Sequence, residues 1–185
     1  MLKPLSFDLI GLVTISGPTK SGKSQLAEYL IKEHKFITYI ATSKPREKDP
    51  EWQKRINLHR KRRPKSWNLI EYPKDICQTI YDMGNKESIL IDSLGGLVEQ
   101  HILHNNYQWE LFQKKFVNCI TSPESLIIVV TEEIGWGIIP GTPIGHLFRE
   151  RLSFLSSLIS IQSKKKWLAV NGTAIDLDEI GYSIP

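Results

Sequence analysis

Eight residues near the start of the chain, "GPTKSGKS" at positions 17–24, have the types and spacing to hold a nucleotide. They fit G-x-x-x-x-G-K-[ST], the P-loop pattern. Gly17 and Gly22 permit the backbone angles that turn several N–H groups toward one point, and Pro18, Thr19, Lys20 and Ser21 form the loop between them. Lys23 brings a mobile positive charge to the phosphates, and the Ser24 hydroxyl can ligate Mg²⁺. A helix that begins here points its positive end at the bound anion. Such a loop needs an acidic partner for the metal at the end of a neighbouring strand, and Asp92, after "ILI", stands in that kind of place. A carboxylate at a strand end also serves as a helix cap, so both roles are open for Asp92 from its position alone.

A second chemistry centres on His59, in "NLHRKRRP". Trp52, Ile56, His59 and Arg63 recur at helical spacing, which places them on a face that is not purely solvent-directed. Four basic residues, Arg60, Lys61, Arg62 and Arg63, follow the histidine. A neutral imidazole beside them can attack an α-phosphate, because the cations stabilise developing charge and disfavour the protonated ring. The plainer role is a solvated histidine on a basic helix. No aromatics interleave with the arginines, so a stacking platform for single-stranded nucleic acid is not supported. His101 and His104, spaced i, i+3 in "EQHILH", read as a half-exposed helix face without a third metal ligand. His34 and His146 show no obvious partners in the sequence.

The elements that must position these groups alternate along the chain. "LIGLVTIS" (9–16) is β-branched, apolar and ends at a glycine, which predicts a buried strand. Leu26, Ala27, Leu30 and Ile31 then recur at helical spacing. Strand, Gly-rich turn and helix is the context a P-loop requires. "FITYIAT" (36–42), "WNLIEY" (67–72), "SILIDS" (88–93) and "SLIIVVTEE" (125–133) predict further strands, the last two near-continuously apolar as in a sheet covered on both faces. "PEWQKRINLHRKRR" predicts a helix with Pro50 in its first turn and Pro64 at its end. Helices are expected over 94–103, 109–120 and 144–162, a loop over "GWGIIPGTPIG", and one closing strand in "KWLAVNGTAIDL". The expectation is an α/β fold: a single P-loop NTPase-like domain over residues 1–185, with a mostly parallel sheet flanked by helices.

Composition bounds the function classes. Hydrophobic residues are 41% and charged residues 24% of 185, as in ordinary globular chains. The longest apolar runs, such as "LIIVV", are far too short to span a bilayer, and "MLKPLSFD" has no apolar signal region. Cys77 and Cys119 are distant in sequence and form no C-x-x-C, which points to a reducing cytoplasm rather than a disulfide framework. The net charge of +4 is uneven: residues 54–65 hold seven Lys/Arg and no acid, leaving 17 basic against 20 acidic residues elsewhere. That pattern favours one local anion site over a nucleic-acid partner.

The succession "GPTKSGKS", "YIATS", "RINLHRKRRPKSW", "LIE", "ILIDS", "VVTEEIGWGIIP" resembles the bifunctional adenosylcobinamide kinase / adenosylcobinamide-phosphate guanylyltransferase family of cobalamin biosynthesis. The match runs in order over most of the chain. The resemblance implies two reactions. ATP or GTP phosphorylates the aminopropanol hydroxyl of adenosylcobinamide. GTP then loads GMP onto a histidine, and the phosphorylated corrinoid takes that GMP to give adenosylcobinamide-GDP. Carried over, the guanylylated histidine is His59, with Lys23 as the second catalytic group. The P-loop is the triphosphate cradle, and Thr42, Ser43 and Lys44 match a nucleotide-contacting segment. Residues 60–63 match the segment after the histidine, and Glu71 and Asp92 match two acidic positions at the site. Ser24 and Asp92 are the metal-facing pair. The resemblance also implies a homotrimer.

Several positions depart from the family pattern. Arg62 stands where a glycine is usual, Gln100 where Asn is expected, and Ser153 and Ser156 where Gly and Asn are expected; "N-E-V-G" becomes "EEIG", which keeps Glu133. Two other readings are open on the residues. One is a single-activity P-loop small-molecule kinase with a structural His59. The other is a nucleotide-dependent nucleic-acid binder that uses the basic helix.

Overall fold

The computed structural model describes residues 9–84, 87–121, 124–137, 139–182 and 184; the side chains of residues 55, 58 and 59 also lie outside the description. The "MLKPLSFD" segment read for a signal therefore falls outside the described residues.

The chain enters a central strand, β1 (Gly11–Ser16), and passes through the P-loop into α1 (Lys23–Ile31). β2 (Ile37–Ala41) leads to the basic helix α2 (Pro50–Arg62), then β3 (Asn68–Glu71) and α3 (Ile76–Met83). β4 (Ser88–Asp92) precedes α4 (Leu94–Gln100) and α5 (Asn106–Ile120). β5 (Leu126–Val130) is followed by the long α6 (Pro143–Gln162). The chain closes with β6 (Lys165–Val170), β7 (Thr173–Asp176) and a short α7 (Leu177–Ile180).

The seven strands among the described residues join one sheet in the order β3-β2-β4-β5-β1-β6-β7. The first six are mutually parallel, and only β7 runs antiparallel, beside β6. Alternation within each strand sorts the core into two layers. Leu12, Ile40, Ile89, Ile91, Ile127 and Val129 pack with α3, α4, α5 and α6. Val13, Ile15, Ile37, Tyr39, Leu90, Ile128 and Val130 pack with α1 through Ala27, Leu30 and Ile31. A strand buried on both faces has no polar side to reveal, which is why these segments read as unbroken apolar runs.

The helix ends follow local chemistry. The Asp49 carboxylate accepts from the Trp52 N–H at 3.0 Å, with Pro50 in the first turn, and Arg63 turns extended ahead of Pro64 to end α2. Asn105 and Gln108 form a reciprocal capping box on α5.

Five expectations need correction. "KWLAVNGTAIDL" is two strands rather than one: Asn171 (φ 48°) and Gly172 (φ 77°) make the tight turn of the β6–β7 hairpin. The loop expected over residues 135–145 stops earlier, because Thr142 caps α6 and Pro143 occupies its first turn. α3 was not anticipated. His101 and His104 do not share a helix face, since α4 ends at Gln100 and both lie in the turns beyond it. Their rings approach to 3.4 Å between Nδ1 of His101 and Nε2 of His104. His34 does have a partner, with Nδ1 2.8 Å from the Ser88 hydroxyl. The two cysteines, distant in sequence, meet where α3 packs on α5, and both are free thiols. Among the described residues no helix is long and apolar enough to cross a membrane.

Candidate active site

Register places the chemistry along one edge. Glu71, Ala41, Asp92, Val130 and Ile15 form a single row across β3, β2, β4, β5 and β1, at the carboxyl ends of the strands. Open parallel sheets bind ligands outside this edge. The P-loop starts two residues beyond Ile15. Asp92 lies two strands away, on the order of 10 Å at ~4.8 Å per strand.

The P-loop backbone shows why its glycines are needed. Gly17 has φ 148°, and a Cβ there would stand 2.2 Å from the Ala169 carbonyl oxygen. Gly22, at φ 103°, caps α1 in the left-handed region. Lys23 is buried, with its ammonium donating to the Pro18 carbonyl at 2.7 Å. Thr19 and Lys20 are exposed, Pro18 and Ser24 are half-buried, and the Ser21 hydroxyl is buried with no hydrogen-bond partner.

At the same strand-end edge, a cavity of about 140 Å³ is lined by residues that include Tyr39, Ser43, Trp52, Ile56, Arg63, Glu71, Asp92 and Glu132. The anticipated face of the basic helix is thus real for Trp52, Ile56 and Arg63. His59 lies in α2 between Ile56 and Arg63, but its side chain lies outside the described residues. An adjoining cavity is walled by Arg60, Arg63, Lys65 and Trp67. The larger groove along α6, at His146, Arg149, Ser153 and Phe154, shares no residue with either.

The polar groups are tightly paired. Tyr39 donates its hydroxyl proton to Asp92 Oδ2 at 2.5 Å, and the Arg63 guanidinium lies 3.9 Å from the Tyr39 ring centroid. Burial, and then the Asp92 charge, push the Tyr39 phenol well above its ordinary range. Glu132 accepts from the Ser93 hydroxyl and from the Gly95 N–H (3.0 Å), so it caps α4 from the neighbouring strand. Burial also pushes its carboxyl upward. Thr42 is fully buried, and its hydroxyl is occupied by the Ser93 backbone, donating to the carbonyl and accepting from the N–H. Ser43 is half-buried and Lys44 exposed. Gln100 donates to the Thr42 carbonyl at 2.8 Å, tying α4 to the same strand end.

The basic run is less free than its sequence implies. Arg60 pairs with Glu71 at 2.8 Å. Arg62 makes two hydrogen bonds to Glu28 of α1, at 3.1 and 3.2 Å. Lys61 is exposed. Tyr39, Glu28 and Glu132 were not anticipated. Only Glu132 left a signal, an acid two residues after the all-apolar "LIIVV", at a strand end.

Residues 13–177 match the family model described as cobinamide kinase / cobinamide phosphate guanyltransferase. The chain belongs to this family. Two curated relatives are similar along nearly their whole length. The Escherichia coli bifunctional adenosylcobalamin biosynthesis protein CobU is 25% identical over 182 residues, covering 90% of this chain and 99% of that protein. The Pseudomonas aeruginosa protein CobP, of the same description, is 28% identical over 166 residues, covering 88% and 95%. A solved structure from Pyrococcus horikoshii shares the fold at TM-score 0.52 with 11% identity, covering 95% of this chain and 91% of that one. A P-loop between a parallel strand and a helix, on a sheet of this order, is the P-loop NTPase-like architecture expected from the sequence.

The donor set suits Mg²⁺. Ser24 and Asp92 offer hard oxygen ligands, and among the described residues no group of three His, Cys, Asp or Glu forms a metal cage. Mg²⁺ takes one or two protein oxygens and fills its shell from phosphates and water.

Proposed function

We propose that this chain phosphorylates adenosylcobinamide with ATP or GTP and then transfers GMP from GTP, through His59, to give adenosylcobinamide-GDP. The observation that carries this reading is the cavity between the α2 face and the strand-end residues Asp92 and Glu132, on the sheet edge from which the P-loop springs, in a member of this family. In the first step a substrate hydroxyl oxygen bonds to the γ-phosphorus and the β–γ bridge breaks, releasing the nucleoside diphosphate. Positioning and charge neutralisation dominate such transfers. The P-loop N–H groups and Lys23 bind and orient the phosphates. Mg²⁺ held by Ser24 and Asp92 would offset phosphate charge. In the second step an imidazole nitrogen of His59 bonds to the α-phosphorus of GTP, and pyrophosphate leaves. A phosphate oxygen of the corrinoid then attacks the same phosphorus, the P–N bond breaks, and the imidazole is restored. Arg60 and Arg63 stabilise the charge that develops. Thr42 contributes by fixing the β2 and β4 ends, with Ser43 and Lys44 nearer the nucleotide. We further propose a cytoplasmic homotrimer with no nucleic-acid partner.

The test is incubation with α-labelled GTP and Mg²⁺. Acid-labile, base-stable label on the protein is expected. His59→Ala should abolish that label and guanylyl transfer while leaving phosphorylation of adenosylcobinamide largely intact. Covalent GMP on the alanine variant would remove His59 from this role. Phosphorylation without any adduct in the wild type would favour the single-activity kinase.

A further inference from the structure

Among the described residues, six buried side-chain polar atoms have no hydrogen-bond partner, and two lie at the strand-end edge: Ser21 Oγ, inside the P-loop, and Thr131 Oγ1. Thr131 is 1% exposed. Buried hydroxyls almost always find a partner, and an orphan at a site edge is the kind of group a ligand completes.

Its place in the fold narrows what that ligand is. β5 lies between β1, which leads into the P-loop, and β4, which ends at Asp92. Val130 is level with both Ile15 and Asp92, and Thr131 is the next residue. Its N–H donates to the Ile15 carbonyl at 2.9 Å, and two residues on the Glu133 N–H donates to the Gly17 carbonyl at 2.9 Å. The backbone of residues 131–133 therefore runs alongside the entry to the phosphate cradle. Thr131 stands between that cradle and the carboxylate of Asp92. A triphosphate held by the P-loop and extending toward Asp92 would carry its terminal phosphate across this gap.

We propose that the Thr131 hydroxyl is a further substrate contact, donating a hydrogen bond to a terminal-phosphate oxygen of the bound nucleoside triphosphate. This rests on reading the P-loop as a triphosphate cradle. It assigns Thr131 the task of distinguishing triphosphate from diphosphate, which the P-loop alone does not do, because its N–H groups surround the phosphates common to both. The other partner for a buried hydroxyl is an internal water, which would leave nucleotide preference untouched.

The experiment compares wild type, Thr131→Val and Thr131→Ser in equilibrium titrations with GDP and with a GTP analogue that resists hydrolysis at the β–γ bridge, with Mg²⁺ present. Valine keeps the shape and removes the hydroxyl; serine keeps the hydroxyl. A charge-assisted hydrogen bond predicts roughly a tenfold or greater loss of triphosphate affinity in Thr131→Val, unchanged diphosphate affinity, and recovery in Thr131→Ser. Melting temperature of Thr131→Val should match or exceed wild type, since no satisfied polar group is lost. If Thr131→Val fails to fold, Thr131→Ser against Thr131→Ala makes the same comparison. Equal loss for both nucleotides, or no loss, overturns the proposal. If the wild type binds neither nucleotide, the P-loop reading falls as well, which separates the two failures.

Discussion

The pair of hydrogen bonds from Arg62 to Glu28 makes a quantitative prediction, because it joins the basic helix α2 to the P-loop helix α1. Glu28 sits with its side chain 13% exposed, whereas Arg62 is 35% exposed. Fully exposed pairs contribute about 0–1 kcal/mol, and breaking a fully buried pair costs about 3–5 kcal/mol. This pair lies between those limits. Burial already raises the Glu28 carboxyl above its ordinary value despite the arginine, so removing Arg62 leaves a poorly solvated acid. Arg62→Ala should therefore destabilise the fold by about 2 kcal/mol, with a coupling to Glu28 of about 1–2 kcal/mol. Arg62 has other interactions, and a single variant would mix them in. A double-mutant cycle with Glu28→Gln, read by urea denaturation at pH 7, isolates the pair. Unchanged m-values would show that native compactness is preserved. A coupling indistinguishable from zero would refute the view that this pair pins α2 to α1. In that case the Arg62→Ala variant should also label with GMP at the wild-type rate.

Two further outcomes are expected. Lys23→Ala should remove both phosphorylation and guanylyl transfer, because the described residues contain one P-loop and its lysine already donates to the Pro18 carbonyl of that loop; near-normal kinase turnover would sink the shared-site idea. Acid should weaken the fold through His101, whose pKa is lowered to about 4, first by burial and then by the neighbouring His104. The unfolded chain takes up that proton near pH 6.5 and the folded one only near 4, so stability is full above 6.5, falls between 6.5 and 4, and levels off below. Allowing for screening of a half-buried ring, the loss is about 1–2 kcal/mol, and His101→Gln should flatten the dependence of melting temperature on pH over that window.

Legibility in the sequence followed the range of the interactions. The strands β1, β2, β4 and β5 were readable because burial on both faces leaves a continuous apolar run. The P-loop was readable because its chemistry depends on consecutive residues. The β6–β7 hairpin was missed although "NG" is a strong local turn signal, since the apolar residues around it were assigned to one strand. α3 was missed because "ICQTIYDM" is short and its apolar positions serve mainly packing against α5. Tyr39 and Thr131 belong to the site only through strand register, and Glu28 only through the packing of α1 beside Arg62. Thr131 follows an apolar strand and precedes two acids, but its own role is not marked by them; its significance comes from two neighbouring strands contributed by distant parts of the chain.

The basic segment shows the same limit in its energetics. Residues 54–65 contain no acid, and the sequence presents an uncompensated cationic site. In the fold, Glu28 reaches Arg62, Glu71 reaches Arg60, and the Tyr39 ring lies beneath Arg63. Each partner is more than ten residues from the segment or on another element, so no local pattern reveals it. The consequence is functional. A triphosphate approaching α2 does not meet bare cations; it competes with Glu71 for Arg60 and with the π-face of Tyr39 for Arg63. Exchange of a half-exposed carboxylate for a more highly charged phosphate is favourable but smaller than the gross attraction, because the acid must be released to water. The Arg62–Glu28 pair, more buried than the Arg60–Glu71 pair, is the one least able to exchange. The fold thus divides four adjacent basic residues into an anchor at Arg62 and exchangeable contacts at Arg60 and Arg63, with Lys61 left in solvent.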